Sequence, residues 1–225
     1  AMDEWELAAN VYFTQRHYPG DYIYRIYKVS NNSNIAGMST LGYTKNGEYQ
    51  FNAGNQTNRH LVHLHELGHC LGLSHEHQRP DRDLYIKVIK ANMKDGCYEQ
   101  GFELFNNEDI DLLSKNYDFN SIMHYDQSSC SKDAGGLITW EPLTEVILDD
   151  SISLSAGDTQ FIRQLYGNSR ETSQALYPAR LIADGYWSTY PPHVNVNEGN
   201  PFVPTTNILQ TNRSNYILVG IELNP

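Results

Sequence analysis

"HELGHCLGLSHEH", residues 65–77, sets four of the chain's nine histidines within thirteen positions, with a glycine where the helix should still be running. His65 and His69 are four apart, so on a helix they share one face and stand about 6 Å apart along the axis. Two imidazoles so placed reach one zinc ion at about 2.0–2.1 Å each. Glu66 comes near a metal-bound water without being a ligand, the HExxH arrangement in which the glutamate is the general base of a hydrolytic helix. On a continuous helix His75 would lie about 9 Å beyond His69 and be rotated away from the metal. Gly72 removes that obstacle, because glycine enters the left-handed conformation just past a helix end without strain. The chain turns there and His75 returns beneath the first pair. Three neutral ligands leave the fourth position to water, as a catalytic zinc requires and a structural one does not. Water whose pKa is lowered to about 7 is a usable nucleophile, and Glu66 can take its proton and deliver it to a leaving amine.

Outward from the motif, Leu61, Val62, Leu64, Leu67, Cys70 and Leu71 recur at helical spacing, with Thr57 or Asn58 as the cap. Upstream, "AMDEWELAANVYFTQR" (1–16) reads as one amphipathic helix and "DYIYRIYKV" (21–29) alternates as a strand. Two further strands are expected over 38–43 and 48–52, across the "KNG" turn at 45–47. Beyond residue 78 the pattern is irregular until "GDTQFIRQLYG" (157–167), a helix for which Asp158 is the expected cap. From about residue 168 the composition changes: "YWSTYPPHVNVNEGNPFVP" (186–204) has no helical period, and "NYILVGIEL" (215–223) reads as a strand. Strands early and the last helix late predict an α+β fold rather than a parallel α/β sheet.

The 225 residues suffice for one large domain, or a domain with an appendage. No apolar run reaches eighteen residues, so no membrane span is expected. A net charge of −11 argues against a nucleic-acid partner, which needs clustered Lys and Arg, and reads as solubility. No signal peptide opens the chain, which reads as processed or trimmed. Of three cysteines, Cys97 and Cys130 lie in polar, turn-like stretches and are the pair to bridge in an oxidising compartment. Cys70 faces away from the histidines and reads as a buried thiol. His60 and His63 precede the motif, and His63 falls nearly opposite His65, so neither is expected to bind metal. For His77 and His124, hydrogen-bonded support of the site and simple packing both stand open. Arg79, Asp81, Arg82 and Asp83 are expected to form one ion-pair network after the zinc loop. "NNS" (31–33), "NQT" (55–57) and "NRS" (212–214) are glycosylation sequons.

"HEHQRPDRDLYIKV", from His75 onward, resembles the HEHxRxDRDxY pattern of the astacin family of metzincin metalloproteases. The matching residues are His75, Glu76, His77, Arg79, Asp81, Arg82, Asp83 and Tyr85. "SIMHY" (121–125) resembles the family's second element, and the likeness covers most of residues 1–166. It implies a metzincin-type α+β fold: an N-terminal twisted sheet with two helices, an irregular C-terminal half with one helix, and an active-site cleft between. Zn2+ would be held by His65, His69 and His75, with Glu66 as general base and acid. Met123 would make the Met-turn, an apolar floor beneath the zinc. Tyr125 would be the switchable metal ligand that swings away to stabilise the oxyanion, though from the residues alone a tyrosine there reads as ordinary packing. The 38–43 stretch, with Ser39, Thr40 and Leu41, resembles the edge strand that pairs antiparallel with the substrate backbone.

By the same resemblance the chain is expected to be a secreted, extracellular, monomeric endopeptidase, the mature form of a zymogen. Its partners would be protein or peptide substrates and its own propeptide, with no nucleic acid and no membrane. In the family a strand precedes the first helix, and the freed N-terminus is buried near the glutamate after the third histidine, here Glu76; this chain is expected to lack that strand. Residues 1–167 are read as the catalytic domain and 168–225 as an extension, packed on it or supplying a strand. A peripheral wrap, or a remnant of a C-terminal module, is preferred to "NYILVGIEL" taking the missing strand's place in the sheet. Two other functions remain: a hydrolase of a non-protein amide on the same fold, and a zinc-binding module without catalysis.

Overall fold

The computed structural model describes residues 1–16, 23–29, 36–42, 47–52, 59–105, 116–133, 136–148, 153–169, 179–181, 187–189 and 216–223. Thr57, Asn58, Tyr43, the three sequons and the first two residues of the 45–47 turn lie outside them.

Residues 1–73 and 162–225 form one compact unit, and residues 74–161 a second. The first opens on helix α1 (Met2–Ala8), which buries Met2, Trp5 and Ala8. The indole N–H of Trp5 donates to the Leu64 carbonyl at 3.1 Å. Read from sequence, the helix runs on to residue 16, whereas the structure ends it at Ala8. Ala9 is extended, with φ −147°, and Val11–Arg16 is strand β1. Branched and aromatic side chains favour a pleated surface over a helix. Here Val11 and Phe13 are buried with Tyr12 between them less so, the period-two pattern of a half-buried strand.

Strands β2 (Ile23–Val29), β3 (Gly37–Ser39) and β4 (Gly47–Asn52) follow. After helix α2 (Arg59–Cys70), the unit is completed by the end of helix α4 (Ala156–Tyr166). To it also belong the hairpin of Ala179–Leu181 with Trp187–Thr189 and a last strand, Tyr216–Leu223. That last strand pairs antiparallel with both β1 and β2. It is therefore an inner member of a five-stranded sheet in which β2 and β4 run parallel and β3 lies at the edge. The tail thus supplies a sheet strand where a peripheral wrap is the preferred reading of the sequence. Such pairing joins residues some two hundred positions apart, and no local pattern encodes it.

The second unit has little regular structure. Among its described residues it has single 3₁₀ turns at Glu76–Gln78, Arg82–Leu84 and Lys90–Asn92, the short helix α3 (Cys97–Gly101), a pair of strands, β5 (Ile86–Val88) and β6 (Trp140–Pro142), and the start of α4. Ile86, Met93, Phe102, Tyr117 and Trp140 form its core. The buried Arg82 guanidinium donates to the carbonyls of His77 and Phe102 and to Asp83. Arg79 instead grips Asp81 through two bonds of 2.9 Å and reaches Glu76 at 2.9 Å. The expected single network is thus two ion pairs with different surroundings: Arg79 with Asp81 and Glu76, and Arg82 with Asp83, the latter also saturating backbone carbonyls that burial would otherwise leave unpaired.

Asp158 caps α4 from inside the helix, not from its N-cap. Ser155 Oγ accepts from the Asp158 amide at 2.8 Å, and Asp158 Oδ2 accepts from the Ser155 amide at 2.9 Å, a reciprocal capping box. The same carboxylate accepts from Ser121 Oγ at 2.6 Å and the Ile122 amide at 2.9 Å, so the α4 cap also holds the turn leading to Met123. No helix among the described residues is long and apolar enough to cross a membrane.

Candidate metal centre

Helix α2 buries Leu64, Leu67, Cys70 and Leu71 on one side, which leaves His65 and His69 together on another. Their rings meet edge to face with centroids 4.7 Å apart. The helix ends as the glycine demands: Gly72 has φ +100°. The Leu73 amide donates to the Gly68 carbonyl at 3.0 Å and the Gly72 amide to that of His69 at 2.9 Å. This is a Schellman turn. It has a second use that the sequence does not reveal, because it sets the Leu73 carbonyl 2.7 Å from His69 Nδ1. The carbonyl can only accept, so Nδ1 carries the proton and Nε2 the lone pair.

His75 is fixed in the same way by a side chain that sequence reasoning passed over. Its Nδ1 donates to Gln78 Oε1 at 2.6 Å, and Gln78 Nε2 donates in turn to the Glu103 carbonyl at 3.0 Å. One ligand atom from each of His65, His69 and His75 lies within 4.8 Å of the other two. Nitrogens on a tetrahedral zinc are about 3.4 Å apart, a separation of the same order. Three imidazoles, two with the outer nitrogen protonated against an acceptor, are a zinc donor set, and the residues present fit the metal.

Glu66 follows the first of these histidines and is 5 % exposed. Its Oε2 has no hydrogen-bond partner among the described residues. Burial pushes its pKa up to about 8, and an adjacent divalent cation acts in the opposite direction. The wall beside it is the β3 backbone. A Cβ on Gly37 would stand 2.6 Å from both Cγ and Oε1 of Glu66, so only glycine leaves room for this carboxylate. Sequence reasoning missed Gly37, since a lone glycine before a strand carries no signal of what lies 29 residues on.

Of Ser39, Thr40 and Leu41, only Ser39 falls within the strand. Thr40 extends the ladder by one bond, from its amide to the Glu48 carbonyl at 2.9 Å. Two residues later the Gly42 amide turns to the His69 carbonyl at 2.8 Å, which draws the chain off the ladder. Cys70 is buried and outside any disulfide, with Sγ 2.9 Å from Ser39 Oγ. His63 bonds the Tyr49 hydroxyl and His60 pairs with Glu4.

In the second unit Met123 is buried and its carbonyl accepts from the Glu76 amide at 3.2 Å. The Tyr125 ring lies 4.8 Å from that of His75. Glu76 Oε1 accepts from Arg79 and from the Asp118 amide, at 2.9 and 2.8 Å. Cys97 and Cys130 have Cα atoms 5.9 Å apart and their sulfurs in contact. His124 is enclosed, with its Nδ1 donating to the Tyr125 carbonyl and Nε2 accepting from the Tyr117 hydroxyl, each at 2.7 Å.

Burial lowers His124 from the ordinary 6.5 to about 4. Between these values the unfolded chain binds a proton that the folded chain refuses, so this group's contribution to stability is full above pH 6.5 and is lost as pH falls toward 4. The shift sets its ceiling at about 3 kcal/mol. Wild type and His124→Asn should therefore differ most in urea midpoint near pH 7 and converge toward pH 4; a gap independent of pH would contradict the assignment.

An α+β fold with such a histidine group is that of metzincin-type metallopeptidases. The peptidase-family model described as "Astacin" matches residues 1–167. The chain belongs to the astacin family. It is 36% identical over 172 residues to the dorsal-ventral patterning protein tolloid of Drosophila melanogaster, covering 74% of this chain and 16% of that protein. To bone morphogenetic protein 1 of Xenopus laevis it is 31% identical over 196 residues, covering 83% and 27%. The chain thus spans about a quarter or less of these relatives. Among solved structures, it is similar to high choriolytic enzyme 1, a hatching enzyme zinc-protease from the medaka Oryzias latipes. The TM-score is 0.55 at 27% identity, over 67% of this chain and 72% of that one.

Proposed function

We propose that this chain is a zinc-dependent endopeptidase in which Glu66 is the general base. The observation that carries this is the convergence of His65, His69 and His75 beside a buried glutamate that is not one of the ligands. Bound zinc supplies a water of lowered pKa and a Lewis acid for the scissile carbonyl. His65, His69 and His75 hold the ion, two of them oriented by Leu73 and Gln78. Glu66 Oε2, buried and unsatisfied, takes the proton of the attacking water and passes it to the leaving amine. Tyr125 donates its phenol proton toward the developing oxyanion, and Met123 is the methionine of the Met-turn. The outer edge of β3 has no strand partner among the described residues. A substrate in extended form pairs there through its main chain, and side-chain pockets set the specificity.

The adjoining sulfurs of Cys97 and Cys130 support a disulfide and an oxidising, extracellular setting. Latency through a propeptide and a monomeric state belong to the same reading. So does the division into a catalytic domain over 1–167 and an extension that lends it a strand.

Mapping of new peptide termini in a denatured protein mixture tests the proposal. Cleavage that depends on added zinc supports it. Stoichiometric zinc without new termini would leave a non-protein hydrolase or a binding module.

Gly37→Ala gives a test of the base's placement that spares the ligands. The added methyl displaces the Glu66 carboxylate, and a misplacement near 1 Å costs about a hundredfold in rate. Turnover should fall by that order at unchanged zinc content, and full activity would mean that the glutamate's position is not critical.

A further inference from the structure

Tyr125 is held more closely than a tyrosine in a loop needs to be. Its amide donates to His77 Nδ1 at 3.2 Å. Its carbonyl accepts from the Trp140 indole at 3.0 Å and from His124 at 2.7 Å. The His77 ring stacks on the phenol ring, with centroids 4.1 Å apart and planes inclined by 28°. On another side stands Gly101, where a Cβ would come within 3.3 Å of Tyr125 Cε2. The backbone is thus pinned at both polar atoms, and the ring is packed between neighbours.

His77 is the piece of this frame that joins it to the metal loop. It is fully buried. Its Nε2 donates to the Gly101 carbonyl at 2.8 Å, which leaves Nδ1 as the acceptor that the Tyr125 amide requires. One neutral imidazole therefore ties the backbone of Tyr125 to Gly101, the residue beside its ring. Arg82, donating to the carbonyl of His77, holds the backbone that carries the imidazole. His77 also lies two residues after His75, and their rings are 5.0 Å apart.

We infer that His77 is a positioning residue for Tyr125: its imidazole sets the backbone and the ring slot from which the phenol acts. The inference rests on the reading of Tyr125 as the oxyanion donor, and the test separates the two. His77→Gln keeps a donor for Gly101 but loses both the Nδ1 acceptor and the stacked ring. Gly101→Ala keeps every hydrogen bond and crowds the ring alone. Each is measured for kcat, KM and zinc content, in the wild-type and the Tyr125→Phe backgrounds. With Tyr125 present, each substitution should lower kcat on the order of tenfold and leave KM and zinc nearly unchanged. With phenylalanine at 125 the same substitutions should cost less than twofold, because the group they position is gone. Equal costs in both backgrounds, or a loss of zinc, would make His77 a general support of the fold and overturn the inference. A Tyr125→Phe protein of full activity would overturn the oxyanion reading and this inference with it. Should His77→Gln not fold, the Gly101→Ala cycle decides alone.

Discussion

Glu66→Gln is expected to keep its zinc and to lose turnover by about a hundred- to ten-thousandfold, the usual worth of a positioned general base. The amide has the carboxylate's shape and fills the same niche beside Gly37, so the fold has no reason to change. It cannot accept the water's proton, and nothing else among the described residues is placed to do so. Kinetics on a peptide substrate with zinc measured in the same sample give the answer. Activity within tenfold of wild type would mean that another base operates.

Metal removal is the second large effect. A strong chelator should abolish cleavage altogether, and added zinc should restore it. Gln78 makes this prediction specific to the chain. Its side chain orients His75 by accepting the Nδ1 proton at 2.6 Å, and removing such an outer partner weakens metal affinity about 10–100-fold. Gln78→Leu should therefore lose zinc at a correspondingly lower chelator concentration, and saturating zinc should return most of its turnover. Zinc affinity unchanged in competition with the chelator would show that His75 is oriented by other means.

The histidine trio was legible in the sequence because each relation is local. Four residues of helix align His65 with His69, and one glycine with positive φ brings His75 back. Backbone sterics over eleven positions determine that geometry whatever the rest of the chain does. The elements nearby were legible for the same reason, apart from the end of α1. There an amphipathic pattern continued into residues 11–16, and tertiary pairing with the last strand decided for the sheet.

What surrounds the ligands was decided only in three dimensions. Gly37 makes room for Glu66 across 29 positions, His77 holds the Tyr125 amide across 48, and the strand at 216–223 enters between β1 and β2. Such contacts depend on which backbone lies beside which once the chain has packed, and no periodicity or spacing records that. The sequence by itself determined the histidine trio and the turn that assembles it. The tertiary structure decided how the glutamate and the tyrosine are held, because their restraints come from residues distant in the chain and near only in the folded protein.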